Sequence, residues 1–160
     1  MGLLLTHATI ATMTDGYGLI ENGAVAVEGA AIRWVGPMAD LPEALRKAGD
    51  WDHRDCRDHL ITPGLVDCHT HTVFGGDRSA EFELRLNGAS YAEIARAGGG
   101  ILSTVRATRE ASDAALLRQA LVRIDAMLAS GTTTVEVKSG YGLTVADELR
   151  LLQTAKAIAD

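Results

Sequence analysis

An α/β fold with a parallel sheet, preceded by a small β-rich unit, is what the sequence predicts, and three observations predict it. Residues 1 to about 62 alternate short apolar runs with Gly-containing turns, the texture of paired strands. From Leu60 the order becomes strand, long helical connection, strand, helix, which is the pattern of βαβ units. The 160 residues, 47% hydrophobic and 22% charged, carry enough apolar side chains for a packed core and exclude disorder.

In the first part Leu3 to Ile10 reads as a strand, followed by turns at Asp15-Gly16 and Glu21-Asn22-Gly23. Further strands are expected over Ala24 to Val27 and Ala31 to Val35. Asn22-Gly23 and Glu28-Gly29 sit where hairpin turns need positive φ. Pro42 to Ala48 is a short helix ended by Gly49. Ile61 to Val66 is apolar and reads as a buried strand emptying into a polar loop. Two helices in the 80s and 90s are broken by Asn87-Gly88 and Gly98-Gly99-Gly100. A stronger helix runs from Ser112, a good N-cap, to Ser130, with Gly131 as its C′ residue. Its apolar stripe, Leu117, Leu121, Ile124 and Leu128, is expected to face a sheet. Thr132 to Val137 is β-branched and strand-like, Ser139 to Gly142 a loop, and Thr144-x-x-Asp147 opens a last helix carrying Leu149, Leu152 and Ile158. That helix stops at Asp160 without a C-cap, so the chain looks cut.

The 15 Lys plus Arg against 21 Asp plus Glu give a net charge of -6 and no basic stripe, which argues against nucleic acid as a partner. No apolar run approaches the roughly 18 residues of a spanning helix, and the N-terminus lacks a positive n-region, so no membrane partner and a cytoplasmic location are expected. Cys56 and Cys68, twelve apart and outside any Cys-x-x-Cys pair, read as buried small residues.

The chemistry lies in Pro63-Gly64-Leu65-Val66-Asp67-Cys68-His69-Thr70-His71. Alternate residues of an extended segment share a face, so His69 and His71 project together, about 6 to 7 Å apart, and can grip one metal ion. Neutral imidazole suits zinc or ferrous iron, and a catalytic site would need one or two further ligands and an open position for water. An isolated His-x-His is more often two exposed loop histidines; the apolar strand and Pro-Gly turn before it favour the metal. Gly98-Gly99-Gly100 lacks the Gly-Lys-Ser/Thr ending of a phosphate loop and reads as a flexible, close-packing loop.

This stretch resembles the first barrel strand of the metal-dependent amidohydrolase superfamily. Three later blocks, Phe74 to Arg78 with Glu81 to Leu86, Gly98 to Arg109, and Glu136 to Leu143, narrow the resemblance to its imidazolonepropionase family. The implied fold is the N-terminal part of a small β-rich composite sandwich over 1–60, then the first two units of a (β/α)8 barrel over 61–160. A complete barrel takes about 250 residues, so both domains read as unfinished.

The implied reaction is hydrolytic ring opening of 4-imidazolone-5-propanoate to N-formimidoyl-L-glutamate in histidine degradation, with one zinc or iron ion. His69 and His71 match the family's first metal ligands. The other His and Asp ligands and the Asp that handles the proton come from later strands, so no catalytic acid or base is expected within this chain. His7, His53 and His59 precede the barrel strand and are not recruited as substitutes. Arg78 matches the arginine that holds the substrate carboxylate, and a planar guanidinium suits a propionate tail. As a bare residue it would read as a solvated surface arginine, as Arg85 and Arg96 do. Tyr141 matches a substrate-binding tyrosine, although a Tyr between two glycines is a turn aromatic about as often. Lys138 reads as a structural neighbour of the site, because the resemblance is to a one-metal enzyme. A homodimer is compatible with the full-length protein. The alternatives are another amidohydrolase, such as a cyclic deaminase, or a non-catalytic chain; the 160 residues alone are expected to lack turnover and to self-associate through uncovered apolar faces.

Overall fold

Backbone pairing in the first part of the chain follows from where its glycines and bulges fall. The computed structural model describes residues 2–159. The chain divides into two compact units, Met1–Pro63 and Gly64–Asp160.

In the first unit β1 (Gly2–Ala11) pairs antiparallel with β2 (Leu19–Glu28), and β2 with β3 (Ala31–Pro37). A single 3-10 turn (Met38–Asp40) and the short helix α1 (Glu43–Arg46) follow. β4 (Asp52–Asp55) and β5 (Leu60–Ile61) then both lie parallel to β1, along its first and second halves. A bulge between Leu5 and Ala8, with His7 at φ 50, switches the face on which β1 buries its side chains. Leu4 therefore packs with Ala24, Ala26 and Leu41, while Ala8 and Ile10 pack with Val25 on the other side.

Two expectations change here. Asn22-Gly23 is not a turn: β2 runs through it, Gly23 pairs with Ala8 between two shifts in the register with β1, and Asn22, at φ 45, lies within the second of those shifts. Glu28-Gly29 does turn, with Gly29 at φ 59. The run Ile61 to Val66 is not one strand either. Leu60–Ile61 belongs to the first sheet, and after Pro63-Gly64 the chain starts β6 (Leu65–Thr70), whose Leu65 and Val66 are exposed rather than buried.

In the second unit β6 is joined to β7 (Thr132–Val137) by four helices, α2 (Ser79–Leu86), α3 (Tyr91–Arg96), α4 (Ile101–Glu110) and α5 (Asp113–Ala129), and α6 (Val145–Ala159) follows β7. The strands are parallel, Leu65 opposite Thr132 and Thr70 opposite Val137. The starts of α3 and α5 carry the capping signals their sequences suggest. Ser90 and Glu93 form a complete capping box, and the Ser112 hydroxyl accepts from Ala115 N–H at 3.3 Å.

The core of this unit is Val73, Leu116, Ala120 and Leu151. Helix α5 thus buries a face one residue away from the predicted stripe: Leu116 and Ala120 are sealed, whereas Leu121 and Leu128 are exposed. One residue is a rotation of about 100°, so Arg123, at the helical spacing of Leu116 and Ala120, comes to lie on the inner side. Helix α6 does the same, burying Leu151 and Thr154 and leaving Leu149 and Leu152 outside. Cys56 is half-buried, but Cys68 is exposed, against expectation, in a strand that pairs on one side only and whose Leu65 and Val66 are exposed as well. Among the described residues no helix is long and apolar enough to cross a membrane.

Candidate active site

Because β6 and β7 run in the same direction, their C-terminal ends lie side by side, and Lys138 N–H donates to Thr70 O at 2.8 Å. His69 and His71 flank that point. Their ring centroids are 5.4 Å apart at 63°, so the alternation of the strand end brings both imidazoles together. His71 is half-buried, and its Nδ1 is sealed from solvent without a hydrogen-bond partner. A buried polar nitrogen left without a partner is costly. The backbone presses close: a Cβ on Gly140 would sit 2.9 Å from His71 Cε1.

Tyr141 stands edge-on to His71, centroids 5.5 Å apart, and edge-on to Phe74 at 5.6 Å. Arg123 completes the row. Its guanidinium lies 3.5 Å over the Phe74 ring and donates to Thr72 O at 2.8 Å and Phe74 O at 3.0 Å. Burial lowers the Arg123 pKa; the carbonyls and the ring face compensate for lost hydration. Gly75 N–H donates to the buried Thr108 hydroxyl at 3.0 Å, and a Cβ there would meet Ala107 O at 2.5 Å.

The Tyr141 loop is held from two sides. Glu148 Oε1 accepts from the N–H of Gly142 at 2.9 Å and of Leu143 at 2.7 Å, and Arg109 Nε donates to Gly142 O at 2.6 Å. Burial pushes the Glu148 carboxyl up, but the Leu143 amide, the Ser139 hydroxyl and the Gly142 and Gly140 amides outweigh it and hold the group below its ordinary range. Its Oε2 is buried without a partner at hydrogen-bonding geometry.

Lys138 is paired with Glu136. That bond and the Lys138 charge lower the Glu136 pKa, with a smaller contribution from His69 nearby. Among the described residues no three His, Cys, Asp or Glu side chains gather as a metal cluster. His69 and His71 stand as a two-imidazole pair.

Arg78 has a different neighbourhood. It precedes α2 and its Nε donates to Glu81 Oε2 at 2.9 Å, beside a recess of about 280 Å³ lined by Arg78, Glu81, Phe82, Arg85, Tyr91 and Ile94. The structure therefore brings His69, His71 and Tyr141 together and gives Arg78 a setting of its own. Sequence reasoning missed the supporting residues Phe74, Arg123, Arg109 and Glu148. Arg123 alone carried a readable signal, a charge at the spacing of Leu116 and Ala120.

The fold occurs in solved structures, among them that of an amidohydrolase, on which the chain superposes with a TM-score of 0.59 at 20% identity, covering 88% of this chain and 26% of that one. The chain superposes on Aspergillus niger ochratoxinase with a TM-score of 0.59 at 19% identity, covering 99% of this chain and 28% of that one. It superposes on guanine deaminase from C. acetobutylicum with a TM-score of 0.57 at 17% identity, covering 97% and 33%. No protein-family model matches the chain. In sequence the chain is homologous to imidazolonepropionases along nearly its whole length. It is 58% identical over 158 residues to that of Paracoccus denitrificans and 59% identical over 159 residues to that of Roseobacter denitrificans. These alignments cover 97% and 98% of the chain, which spans 39% of the length of each relative.

Proposed function

We propose that the whole protein carrying this chain hydrolyses 4-imidazolone-5-propanoate to N-formimidoyl-L-glutamate, a step of histidine degradation. The observation that carries this reading is the 58% identity to an imidazolonepropionase spread over 97% of the chain rather than confined to one motif. In this reading residues 1–60 are part of a small β-rich domain and 61–160 are the first two units of a (β/α)8 barrel, with the histidine pair at the face where barrel active sites collect. The protein acts on a small molecule in the cytoplasm and is compatible with a homodimer.

His69 and His71 would hold one zinc or iron ion. The unpartnered, buried Nδ1 of His71 and the 5.4 Å spacing of the rings fit two imidazole donors converging on a borderline cation. When bound, the ion supplies a water of lowered pKa and polarises the ring carbonyl. The remaining roles belong to the protein. Tyr141 offers its phenol to the substrate from the end of β7, and its ring screens His71 from water. Arg78 takes the propionate through its guanidinium fork. The catalytic base is contributed from outside these residues.

The test is to purify the full-length protein with zinc or ferrous iron and follow loss of the imidazolone and formation of N-formimidoyl-L-glutamate. Turnover of that substrate supports the reading. Absence of turnover with metal bound, or preference for a cyclic amidine or purine, overturns it.

A further inference from the structure

We propose that Glu81 is the positioning residue for Arg78, fixing its guanidinium through Nε so that the forked Nη edge stays available for a substrate carboxylate. This rests on the reading of Arg78 above. The Nε bond to Glu81 Oε2 is the only side-chain hydrogen bond of Arg78 among the described residues, so both Nη nitrogens remain uncommitted. Holding Nε also fixes the plane of the guanidinium, which an otherwise free arginine would surrender only at an entropic cost on binding.

Glu81 can do this because it is itself anchored. Its other oxygen, Oε1, accepts from Gly100 N–H and from the Ser103 hydroxyl, both at 2.9 Å, and its side chain is only 17% exposed. Partial burial pushes its carboxyl up, but the bonds from Arg78, Ser103 and Gly100 outweigh that and keep it an anion. The same contact explains Gly99, and positive φ explains the glycines on either side of it. A Cβ on Gly99 would lie 3.0 Å from Glu81 Oε1 and 2.7 Å from Ile94 Cγ2, and Gly98 and Gly100 have φ of +86 and +80. Gly99 and the Gly100 amide approach Glu81 closely because position 99 carries no side chain. The adjoining recess holds Arg78 and Arg85 against the single carboxylate of Glu81, so its net charge favours an anionic group.

The experiment measures kcat and KM for 4-imidazolone-5-propanoate in the full-length enzyme and its Glu81→Gln, Arg78→Lys and doubly substituted variants. Gln at 81 keeps an oxygen for Gly100 and Ser103 but loses the charge facing Arg78. It is expected to raise KM about five-fold while moving kcat far less. The double variant should be no worse than Arg78→Lys alone, since one residue acts through the other. An unchanged KM in Glu81→Gln beside a raised KM in Arg78→Lys, or additive effects in the double variant, overturns the inference. An unchanged KM in Arg78→Lys overturns instead the reading of Arg78. If Glu81→Gln does not fold, Ser103→Ala carries the test: a KM raised about two-fold at similar kcat supports the inference, and an unchanged KM overturns it.

Discussion

The guanidinium of Arg123 lies 3.5 Å above the ring of Phe74, and the same group donates to the carbonyls on either side of Val73. One side chain from α5 thereby fixes the segment leaving His71 and the ring against which Tyr141 rests. Arg123→Leu removes the stacking and leaves two carbonyls short of a donor. We expect it to destabilise the protein by about 2 to 4 kcal/mol, with Arg123→Lys recovering part of that. Denaturant titration of the full-length protein decides it, and a loss below about 0.5 kcal/mol would show that the clamp carries no weight.

The histidine pair gives a second prediction. If His69 and His71 ligate the ion, replacing both with Ala should remove bound zinc or iron from the purified full-length protein, as measured by elemental analysis. Near-stoichiometric metal in a folded double variant would move the site elsewhere.

What was legible in the sequence was local. The alternation of His69 and His71, the Ser112 cap and the β-branched run Thr132 to Val137 each depend on neighbours a few residues away, and each stands in the structure as read. The predicted face of α5 did not, because Leu117, Leu121, Ile124 and Leu128 form as good an apolar stripe as the one buried. Which stripe is used depends on Val73 and Leu151, which pack against Leu116 from distant parts of the chain. Leu121 and Leu128, left exposed, are free to be covered by something else. The supports of the site are long-range in the same way: Arg123 reaches Thr72 across 51 positions and Arg109 reaches Gly142 across 33. No spacing rule announces such pairs. Asn22-Gly23 failed for a different reason, since the residue types that make hairpin turns also make bulges.

Glu148 predicts a pH dependence. Its carboxyl is held below its ordinary value of 4.5 in the folded protein by the amides and hydroxyl of the Tyr141 loop, against the opposing effect of burial. A lowered folded pKa contributes stability that is fully present above the unfolded pKa and is lost as pH falls through the folded one. The stability gap between wild type and Glu148→Gln should therefore be constant above about pH 5 and close on acidification below it. Thermal melts of both proteins from pH 7 to 3 measure this, and a gap that widens at low pH would contradict the sign of the shift.

The close approach of Gly140 to His71 gives the last prediction. A Cβ at position 140 would lie 2.9 Å from His71 Cε1 and 3.2 Å from Nδ1, closer than carbon atoms pack, so either the imidazole or the Tyr141 loop must move. The loop is held by Glu148 and Arg109, whereas the ring can turn about its side-chain torsions, so the ring is expected to yield. Gly140 also lies at φ +156, where a residue with a Cβ is strained, so Gly140→Ala should cost about 2 to 3 kcal/mol of stability. If His71 ligates the ion, it should also weaken metal retention about ten-fold, because a ligand a few tenths of an ångström out of place loses coordination geometry. Gly49→Ala, where nothing lies within 4 Å of the added carbon, is the matched control and should leave metal affinity unchanged. Competition against a calibrated chelator reads the affinity of each variant in the full-length protein. Equal metal affinity in Gly140→Ala and Gly49→Ala would mean that the glycine serves the loop and not the histidine.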